Sequence, residues 1–544
     1  MNKNNNLSKQ DSQKRIFIAM ILSFVFFIAY DFLYIQPQQA VYDQQQAVAS
    51  KTTTTGIDNK NQAPQVANST NTNAAPVTKI TQVNEIVSRI TTNKNIIEID
   101  SFGRIAQVTL LEEQYIDEDG KQIKLFASNQ LRPLEVRFSN RALNEEAFKT
   151  NVVASSSSLN TKNGVQTLTL TQKMSNNTLV KTMKFYPDGH YDINVNVTNG
   201  AEFFVTPGFR PDVMADMYAD HGVVLKMNDG TLTIVEDEDL DKTVNFTGIK
   251  FASAFDRYYS TILYNFKTSL AISLMPDNDN SPQVFIHAKD SIDLSGYVGP
   301  KNYRDLASLN KELTDAIEYG WFTFIAKPMF LLLQYIHDYV GNWGWTIVLV
   351  TILIKLILYP LSYKGMVSMN KLKELSPKIK EIQEKYKNDK QKSGAKMMEF
   401  YKKEGVNPMG GCLPILLQIP VFFSIYRVLL NSIELKGAEW AFWITDLAEM
   451  DPYFVLPILM GITMYVQQLI TPNQMQDELQ KKLFQFLPVI FTFFFLWFPA
   501  GLTLYWFINN LFTIAQQYYV NTLFAKAKVA RHEDHLSHKH NKKD

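Results

Sequence analysis

The chain has 544 residues, of which 46% are hydrophobic, and a formal net charge of +1 at pH 7. This length exceeds one domain, and a net charge near zero argues against a nucleic-acid partner. The single cysteine, Cys412, excludes an intramolecular disulfide. The average composition conceals two unlike parts, because a polar first half precedes a strongly apolar second half.

A hydrophobic run over Ile16–Ile35 follows a short basic segment at the start of the chain. The run is long for a signal-peptide core and lacks a small-residue cleavage site. We therefore interpret residues 1–35 as a cytoplasmic N-terminus followed by an uncleaved membrane anchor. Residues 36–82 are rich in Gln, Asn, Thr and Ala, which is typical of a flexible linker that cannot bury a core.

Residues 83–302 contain short runs with the alternation of half-buried β-strands. The clearest is Tyr191–Val197, which follows the turn signal Tyr186–His190 and is expected to pair with Val180–Phe185 as a hairpin. Leu168–Thr171 repeats the pattern. We predict an all-β sandwich for this region.

Residues 303–342 connect the predicted sandwich to the next hydrophobic run. Tyr303–Glu318 has a helical pattern. Residues 321–338 are aromatic, bounded by charges and interrupted by Lys327–Pro328, which favours an amphipathic helix in the outer membrane interface. A seventh span is the alternative here, but it would invert every later loop against the charge bias.

Further hydrophobic runs predict five more membrane spans after the anchor. They cover residues 343–362, 411–430, 453–471, 485–499 and 502–519, the last four within a segment 407–519. The loop 363–406 and the tail 520–544 are basic, whereas the loop 431–452 is acidic. Because basic loops stay on the cytoplasmic side, both termini are predicted to be cytoplasmic and the sandwich periplasmic. The prediction is a six-span α-helical protein of the bacterial inner membrane.

Two amphipathic patterns in the basic loop predict a helical hairpin, over about 370–386 and 392–404. The hairpin is either a solvated loop that sets topology or a docking arm for a ribosome, a targeting receptor or a nascent chain. The candidate docking residues are two lysines and two flexible methionines, namely Lys378, Lys385, Met397 and Met398.

Lys355 lies deep in the predicted span 343–362, where a lysine costs about 2.5–3.5 kcal/mol on insertion scales. The later spans contain no Asp or Glu that could pair with it. Polar residues recur in the same spans, including Thr351, Gln418, Asn509 and Asn510. We interpret this pattern as a water-filled cavity inside the bilayer that carries one fixed positive charge.

Three long motifs, Val406–Phe422, Asp451–Gly461 and Phe495–Leu502, closely resemble signatures of the YidC family of membrane protein insertases. The resemblance covers the whole chain, including the anchor and large external domain of Gram-negative members. It implies a periplasmic β-supersandwich and a five-helix core with a hydrophilic groove that is open to the cytoplasm and lipid. The basic residue of that groove is usually arginine, and the matching position here is Lys355, which cannot offer a bidentate fork.

The resemblance further implies an insertase and chaperone for inner-membrane proteins that acts alone or with the Sec translocon, without enzymatic activity, cofactor or metal. The implied partners are nascent membrane proteins, Sec components, a transient ribosome or targeting receptor and membrane lipids, with no specific nucleic-acid sequence. The predicted substrate groove contains Lys355, Thr351, Gln418, Trp506, Asn509 and Asn510. The predicted hydrophobic slide for the substrate helix contains Ile419, Phe422, Phe423, Phe494 and Phe495.

Two other functions remain as alternatives. A channel or secondary transporter would use Lys355 as an anion site, but we find no inverted repeat and no paired ion-coupling carboxylates. A membrane-tethered carbohydrate enzyme would have to use scattered residues such as His190, His221 and Asp256. The sequence has no phosphate-binding loop, so membrane potential and hydrophobic burial would have to drive insertion.

Overall fold

The computed structural model describes residues 85–117, 119–127, 129–213, 220–406, 413–471 and 478–540. The predicted anchor (1–35), the linker (36–82) and the Asn407–Cys412 part of the first signature motif lie outside the described residues.

Seventeen strands form the first half of the described chain. They are β1 (Ile86–Thr91), β2 (Asn95–Asp100), β3 (Ile105–Leu110), β4 (Val136–Phe138), β5 (Val153–Ala154), β6 (Ser158–Asn160), β7 (Gln166–Lys173), β8 (Thr178–Phe185), β9 (Tyr191–Val197), β10 (Glu202–Val205), β11 (Gly222–Met227), β12 (Leu232–Glu236), β13 (Val244–Phe255), β14 (Tyr259–Tyr264), β15 (Leu270–Pro276), β16 (Pro282–Lys289) and β17 (Ser291–Pro300). A short helix, α1 (Arg141–Ala147), separates β4 from β5.

The strands belong to two sheets within the described residues. The smaller sheet has the order β3-β2-β1-β6, in which only the β1–β6 pair is parallel. The larger sheet runs β4-β10-β16-β15-β13-β14-β17-β9-β8-β7-β5, and β11 joins it through β13 and carries β12. The predicted all-β sandwich is confirmed.

The predicted hairpin is also confirmed, because β8 pairs antiparallel with β9 and places Phe185 opposite Tyr191. Gly189 makes the turn at φ +91°, a conformation that only glycine adopts at little cost. Along β9, side chains alternate between buried and partly buried positions. The period-2 pattern is therefore a consequence of one face packing into the sandwich core.

The segment after the sandwich is less regular than its helical pattern predicts. Helix α2 covers only Tyr303–Leu309, and a 3₁₀ helix over Lys311–Ala316 follows. Asn310 separates them because its extended backbone ends α2 and its side chain caps the next turn at the N–H of Glu312, at 2.8 Å. After a short 3₁₀ turn at Gly320–Phe322, α3 runs over Thr323–Val340 with Pro328 inside it.

Seven helices make up the rest of the described chain. They are α4 (Trp343–Ile357), α5 (Tyr359–Lys385), α6 (Lys390–Lys403), α7 (Leu413–Asn431), α8 (Val455–Ile470), α9 (Glu478–Phe494) and α10 (Ala500–His540), with 3₁₀ turns at Ile433–Leu435 and Phe495–Trp497. Helix α10 continues well beyond the end of the predicted sixth span, so the described part of the basic tail is helical.

The predicted helix over 343–362 is interrupted in the structure. Helix α4 ends at Ile357 and α5 begins at Tyr359, with a bend of 63° between them. Pro360 explains the break, because it has no N–H to donate and its ring clashes with a preceding helical carbonyl. Helix α5 then runs through Pro377 without a break.

The six predicted spans remain predictions. Among the helices in the described ranges, none is by itself both long enough and apolar enough to cross a bilayer, whereas the bent pair α4–α5 meets both criteria together.

The predicted helical hairpin is present as the C-terminal part of α5 and helix α6. Its tip, Pro377–Phe400, is here called the hairpin unit and belongs to a different compact unit from the described residues on either side of it. Within this unit Ile379 is buried, and Gln383 Nε2 donates to Met397 Sδ at 3.3 Å. Charged residues occupy the exposed positions. The amphipathic pattern thus reflects packing between two short helices.

Candidate functional site

Helix α4 carries Lys355 into the interior of the helical region. Asn342 caps the start of α4 by accepting the N–H of Trp345 at 3.0 Å, and Lys355 lies in its last turn with 6% of its surface exposed. The Lys355 ammonium donates to Thr513 Oγ1 of α10 at 2.9 Å. Among the described residues no carboxylate forms an ion pair with Lys355.

A chain of hydrogen bonds leads from Lys355 to another helix. Thr513 Oγ1 donates to the carbonyl of Asn509 at 2.7 Å, and the Asn509 side chain accepts from Gln418 Nε2 of α7 at 3.1 Å. The carbonyl of Lys355 also accepts from Gln516 Nε2 at 3.4 Å. These hydrogen bonds therefore connect α4 to α10 and α10 to α7, and the step from Thr513 to Asn509 passes through a backbone carbonyl.

A cavity of about 420 Å³ lies beside this chain. Its polar wall contains Gln418, Asn509 and Asn510, and its apolar wall contains Phe422 and Trp506. The other lining residues are Ile419, Met464, Gln467, Gln468, Thr471, Phe484, Leu487, Pro488 and Tyr505. The cavity thus brings together four of the six predicted groove residues.

The other two predicted groove residues do not line this cavity. Two hydrogen bonds separate Lys355 from the lining residue Asn509, the first to Thr513 and the second from Thr513 to the Asn509 carbonyl. Thr351 is buried, and its hydroxyl donates to the carbonyl of Ile347 in its own helix at 2.6 Å. The assignment of Thr351 to the groove therefore stays a prediction, made from its one-turn spacing from Lys355.

Trp506 forms the centre of an aromatic cluster at the apolar wall. Its ring lies 4.7 Å from that of Phe422, 5.0 Å from Phe495 and 5.7 Å from Phe491, measured between centroids. Such offset and edge-to-face contacts stabilise a fixed wall. The cluster connects α7, α9 and α10 on one side of the cavity.

The predicted slide residues differ in exposure. Ile419 and Phe423 on α7 are 42% and 46% exposed, and Phe422 and Phe494 are partly buried. Phe495 is only 4% exposed, because the 3₁₀ turn at Phe495–Trp497 directs it against Phe498 and Trp506. It is therefore a core residue and no part of an open surface.

The four predicted docking residues all lie in the hairpin unit. Lys378, Lys385 and Met398 are exposed, whereas Met397 is partly buried and accepts the hydrogen bond from Gln383. Three of the four side chains are therefore accessible to a partner.

Several polar residues of this region were missed at the sequence level. Thr513 and Gln516 contact Lys355, and Thr463 accepts from Asn510 Nδ2 at 3.4 Å. The signal was present, because Asn509, Thr513 and Gln516 follow one another at helical spacing in an apolar segment.

Arg427 of α7 pairs with Asp220 at 2.5 Å. This ion pair joins α7 to the segment before β11, 207 residues earlier in the chain.

The three candidate residues for a carbohydrate-processing site, His190, His221 and Asp256, have local roles in turns. His190 pairs with Asp188 at 2.5 Å and stacks on Tyr186, with ring centroids 4.0 Å apart. The buried Asp256 accepts the N–H groups of Tyr258 and Tyr259, and burial raises its pKa to about 6. His221 lies just before β11, where its carbonyl accepts the N–H of Asp237. Each of the three residues therefore has a local structural role in the sandwich.

Comparisons with known proteins identify both halves of the chain. Residues 88–332 match the family described as YidC periplasmic domain, and residues 335–528 match the family described as 60Kd inner membrane protein. The membrane protein insertase YidC of Campylobacter jejuni is 48% identical over 97% of this chain and 98% of its own length. The protein of the same name from Wolinella succinogenes is 46% identical over 96% of this chain and 98% of its own length. The one from Helicobacter pylori is 41% identical over 98% of this chain and 100% of its own length.

A crystal structure of an active YidC insertase with its first transmembrane domain resolved matches 80% of this chain and 95% of its own, with 17% identity and a TM-score of 0.36. The relationship rests on the sequence matches, which extend over nearly the full length of both proteins. The chain therefore belongs to the YidC family of bacterial inner-membrane insertases, whose members carry a periplasmic domain.

Proposed function

We propose that this protein inserts membrane proteins through the cavity between α7, α8, α9 and α10, with Lys355 as a fixed positive charge behind its polar wall. The observation that carries the proposal is the hydrogen-bonded chain Lys355–Thr513–Asn509–Gln418, which ends at the cavity. An acidic tail of a substrate would be drawn towards this charge. Drawing the tail into a polar cavity shortens the apolar distance that it must cross.

The substrate helix would then leave along the exposed apolar side of α7 and α9. Ile419 and Phe423 offer accessible apolar surface there, and Phe422 and Trp506 form a rigid wall. Burial of the substrate helix in lipid supplies the driving force. The same proposal includes six membrane spans and cytoplasmic termini. The protein would also act as a chaperone, alone or beside Sec components, and its hairpin unit would contact a ribosome or targeting receptor.

Crosslinking of a stalled single-span substrate tests the route. In a Cys412→Ser background, cysteines replace Ile419 on α7 or Phe494 on α9, and Leu349 on α4 serves as an exposed apolar control. We expect substrate crosslinks from positions 419 and 494 and few from position 349. Equal crosslinking from all three positions would contradict a defined route.

The transporter alternative is tested in the same preparation. Proteoliposomes that contain the purified protein are loaded with a small fluorescent anion. We expect no anion release, whereas release that depends on Lys355 would favour a transporter.

A further inference from the structure

A second cavity, of about 620 Å³, lies where the sandwich meets the helical region. Strand β12 contributes Leu232, Ile234 and Glu236, and the segment 315–327 and helix α7 form the opposite walls. This cavity is separate from the proposed substrate groove, with which it shares no lining residue.

Acidic side chains outnumber basic ones in its lining. The carboxylates are Asp220, Glu236, Asp239, Asp315 and Glu318, and the cations are Lys327 and Arg427. Asp220 pairs with Arg427 at 2.5 Å. Asp315 pairs with Lys327 at 2.6 Å and with Lys226, outside the cavity lining, at 2.7 Å. Over the part of the chain that the structure describes, no ion pair involves the other three carboxylates.

Glu318 is the most informative of these three. It is 9% exposed, and its Oε1 accepts the backbone N–H of Gly320. Its Oε2 is buried and has no hydrogen-bond donor among the described residues. A buried carboxylate oxygen without a donor destabilises the folded state, so a ligand that brings a donor to this wall would be stabilised.

The surroundings of Glu236 and Glu318 favour a positive ligand. Desolvation raises the pKa of both carboxyls, although Glu318 is buried and Glu236 is exposed, and the neighbouring Asp220 and Asp239 raise that of Glu236 further. In the same ranges no group of three or more His, Cys, Asp or Glu side chains is arranged to hold a metal ion. An organic cation suits these two carboxylates better than a metal ion, because its charge and N–H groups extend over more than one contact.

The aromatic wall supports the same chemistry. The rings of Phe322 and Phe423 stack with centroids 6.3 Å apart, and both residues line the cavity. Aromatic faces attract ammonium groups. Phe423 is also 46% exposed, so apolar surface continues from the cavity along α7, which we propose to span the membrane. A ligand with a cationic head and an apolar tail fits this arrangement.

We propose that this cavity binds a primary ammonium group, through Glu318 and Glu236, carried either by the headgroup of an aminophospholipid or by a soluble amine. Arg427 and Lys327 lie on the same walls, where they could contact a lipid phosphate. The site concerns ligand binding on the predicted periplasmic side and shares one residue, the exposed Phe423, with the proposed exit route.

Native mass spectrometry of the full-length protein in detergent tests this proposal. The probes are phosphatidylethanolamine, phosphatidylcholine, which has no ammonium N–H, and ethanolamine as a soluble competitor. We expect phosphatidylethanolamine to bind more tightly than phosphatidylcholine. Glu318→Gln and Glu236→Gln should each weaken that binding about tenfold, the size expected for a lost charge-assisted hydrogen bond.

Glu439→Gln, at an exposed carboxylate outside the cavity, is the matched control and should leave binding unchanged. If ethanolamine binds with the same dependence on Glu318 and the two lipids bind equally, the source of the ammonium group is a soluble amine. If phosphatidylethanolamine and ethanolamine each bind the wild type and the folded cavity variants with equal affinity, the proposal is overturned. Glu236→Gln keeps the test decisive if Glu318→Gln fails to fold.

Discussion

At the scale of single residues, Lys355 is held by a hydroxyl and not by an acid. Its ammonium donates to Thr513, whose own hydrogen bond goes to a carbonyl of α10. A neutral partner leaves the positive charge uncompensated within the described structure. A carboxylate that enters the neighbouring cavity would therefore feel an attraction that water screens only in part.

Replacing Lys355 tests this attraction. Lys355→Ala should reduce insertion of substrates with acidic translocated tails about tenfold, if one partly screened charge contact of about 1.4 kcal/mol is lost. Lys355→Arg should match or exceed the wild type because arginine stays charged, and Lys355→Glu should be the weakest. The measurement is the fraction of substrate tail protected from protease. Lys364→Ala, at an exposed lysine of α5, is the control, and equal insertion by wild type and Lys355→Ala would refute the attraction.

Asp256 gives a second test at this scale, in the sandwich. Because burial raises its folded pKa from the ordinary 3.8 to about 6, the folded state loses stability as pH rises through this window. Asp256→Asn keeps an oxygen acceptor for the N–H groups of Tyr258 and Tyr259 and removes the charge. In a soluble sandwich fragment the variant should gain about 1–3 kcal/mol above pH 7 and nothing near pH 4. Urea unfolding at both pH values measures this difference in the free energy of unfolding. If the difference between variant and wild type is the same at both pH values, the ionised Asp256 carboxylate does not destabilise the fold.

At the scale of elements, the hairpin unit is held by its own contacts. The base of α5 is fixed outside this unit, where Asn370 Nδ2 donates to Asn521 at 2.8 Å and Glu374 pairs with Lys528 at 3.1 Å. The unit Pro377–Phe400 can therefore be removed without disturbing these bonds.

Deleting Pro377–Phe400 and joining its ends by a short Gly-Ser linker should give a folded protein that integrates into membranes but inserts poorly. The reason is that the exposed lysines and Met398 of this unit are proposed to dock a partner. Insertion and membrane integration are measured in parallel. The double variant Lys378→Glu/Lys385→Glu tests the charges alone. Normal insertion by the deletion variant would mean that the loop only sets topology.

Repeating local patterns made much of the element structure predictable. The β8–β9 hairpin and the amphipathic helical hairpin follow from periodicity and turn residues alone. The break between α2 and the following 3₁₀ helix was missed because it depends on a side-chain cap at Asn310. For the site, polar residues in apolar spans indicated Gln418, Asn509 and Asn510, whereas the burial of Thr351 and Phe495 depends on helix rotation that no local pattern specifies.

At the scale of the whole molecule, polar contacts tie the sandwich to the helices. Arg257 Nε donates to the carbonyl of Leu430 at 2.8 Å. Asn431 Nδ2 donates to the carbonyl of Glu318, in the segment that follows the sandwich, at 3.0 Å. The ion pair between Arg427 and Asp220 adds a charged contact. These contacts lie away from the proposed groove, so they position the domain without forming part of the route.

The sandwich should therefore fold alone and be largely dispensable for insertion. A fragment over 85–302 should unfold cooperatively in solution, since it contains both sheets. A full chain without the sandwich but with 303–342 should support growth of a strain depleted of its own insertase. Deleting the sandwich also removes Asp220, the ion-pair partner of Arg427. The shortened chain therefore carries Arg427→Gln, so that no unpaired charge is left there. Failure to grow at normal protein levels would place the function in the sandwich.

The central claim is that the charge at position 355 selects the charge of the translocated tail. The most direct measurement uses purified protein in proteoliposomes, without Sec components or an imposed membrane potential, and single-span substrates that differ only in tail charge. The wild type should insert the acidic-tailed substrate better than the basic-tailed one, and Lys355→Glu should reverse this order. The same order for both proteins would contradict the claim.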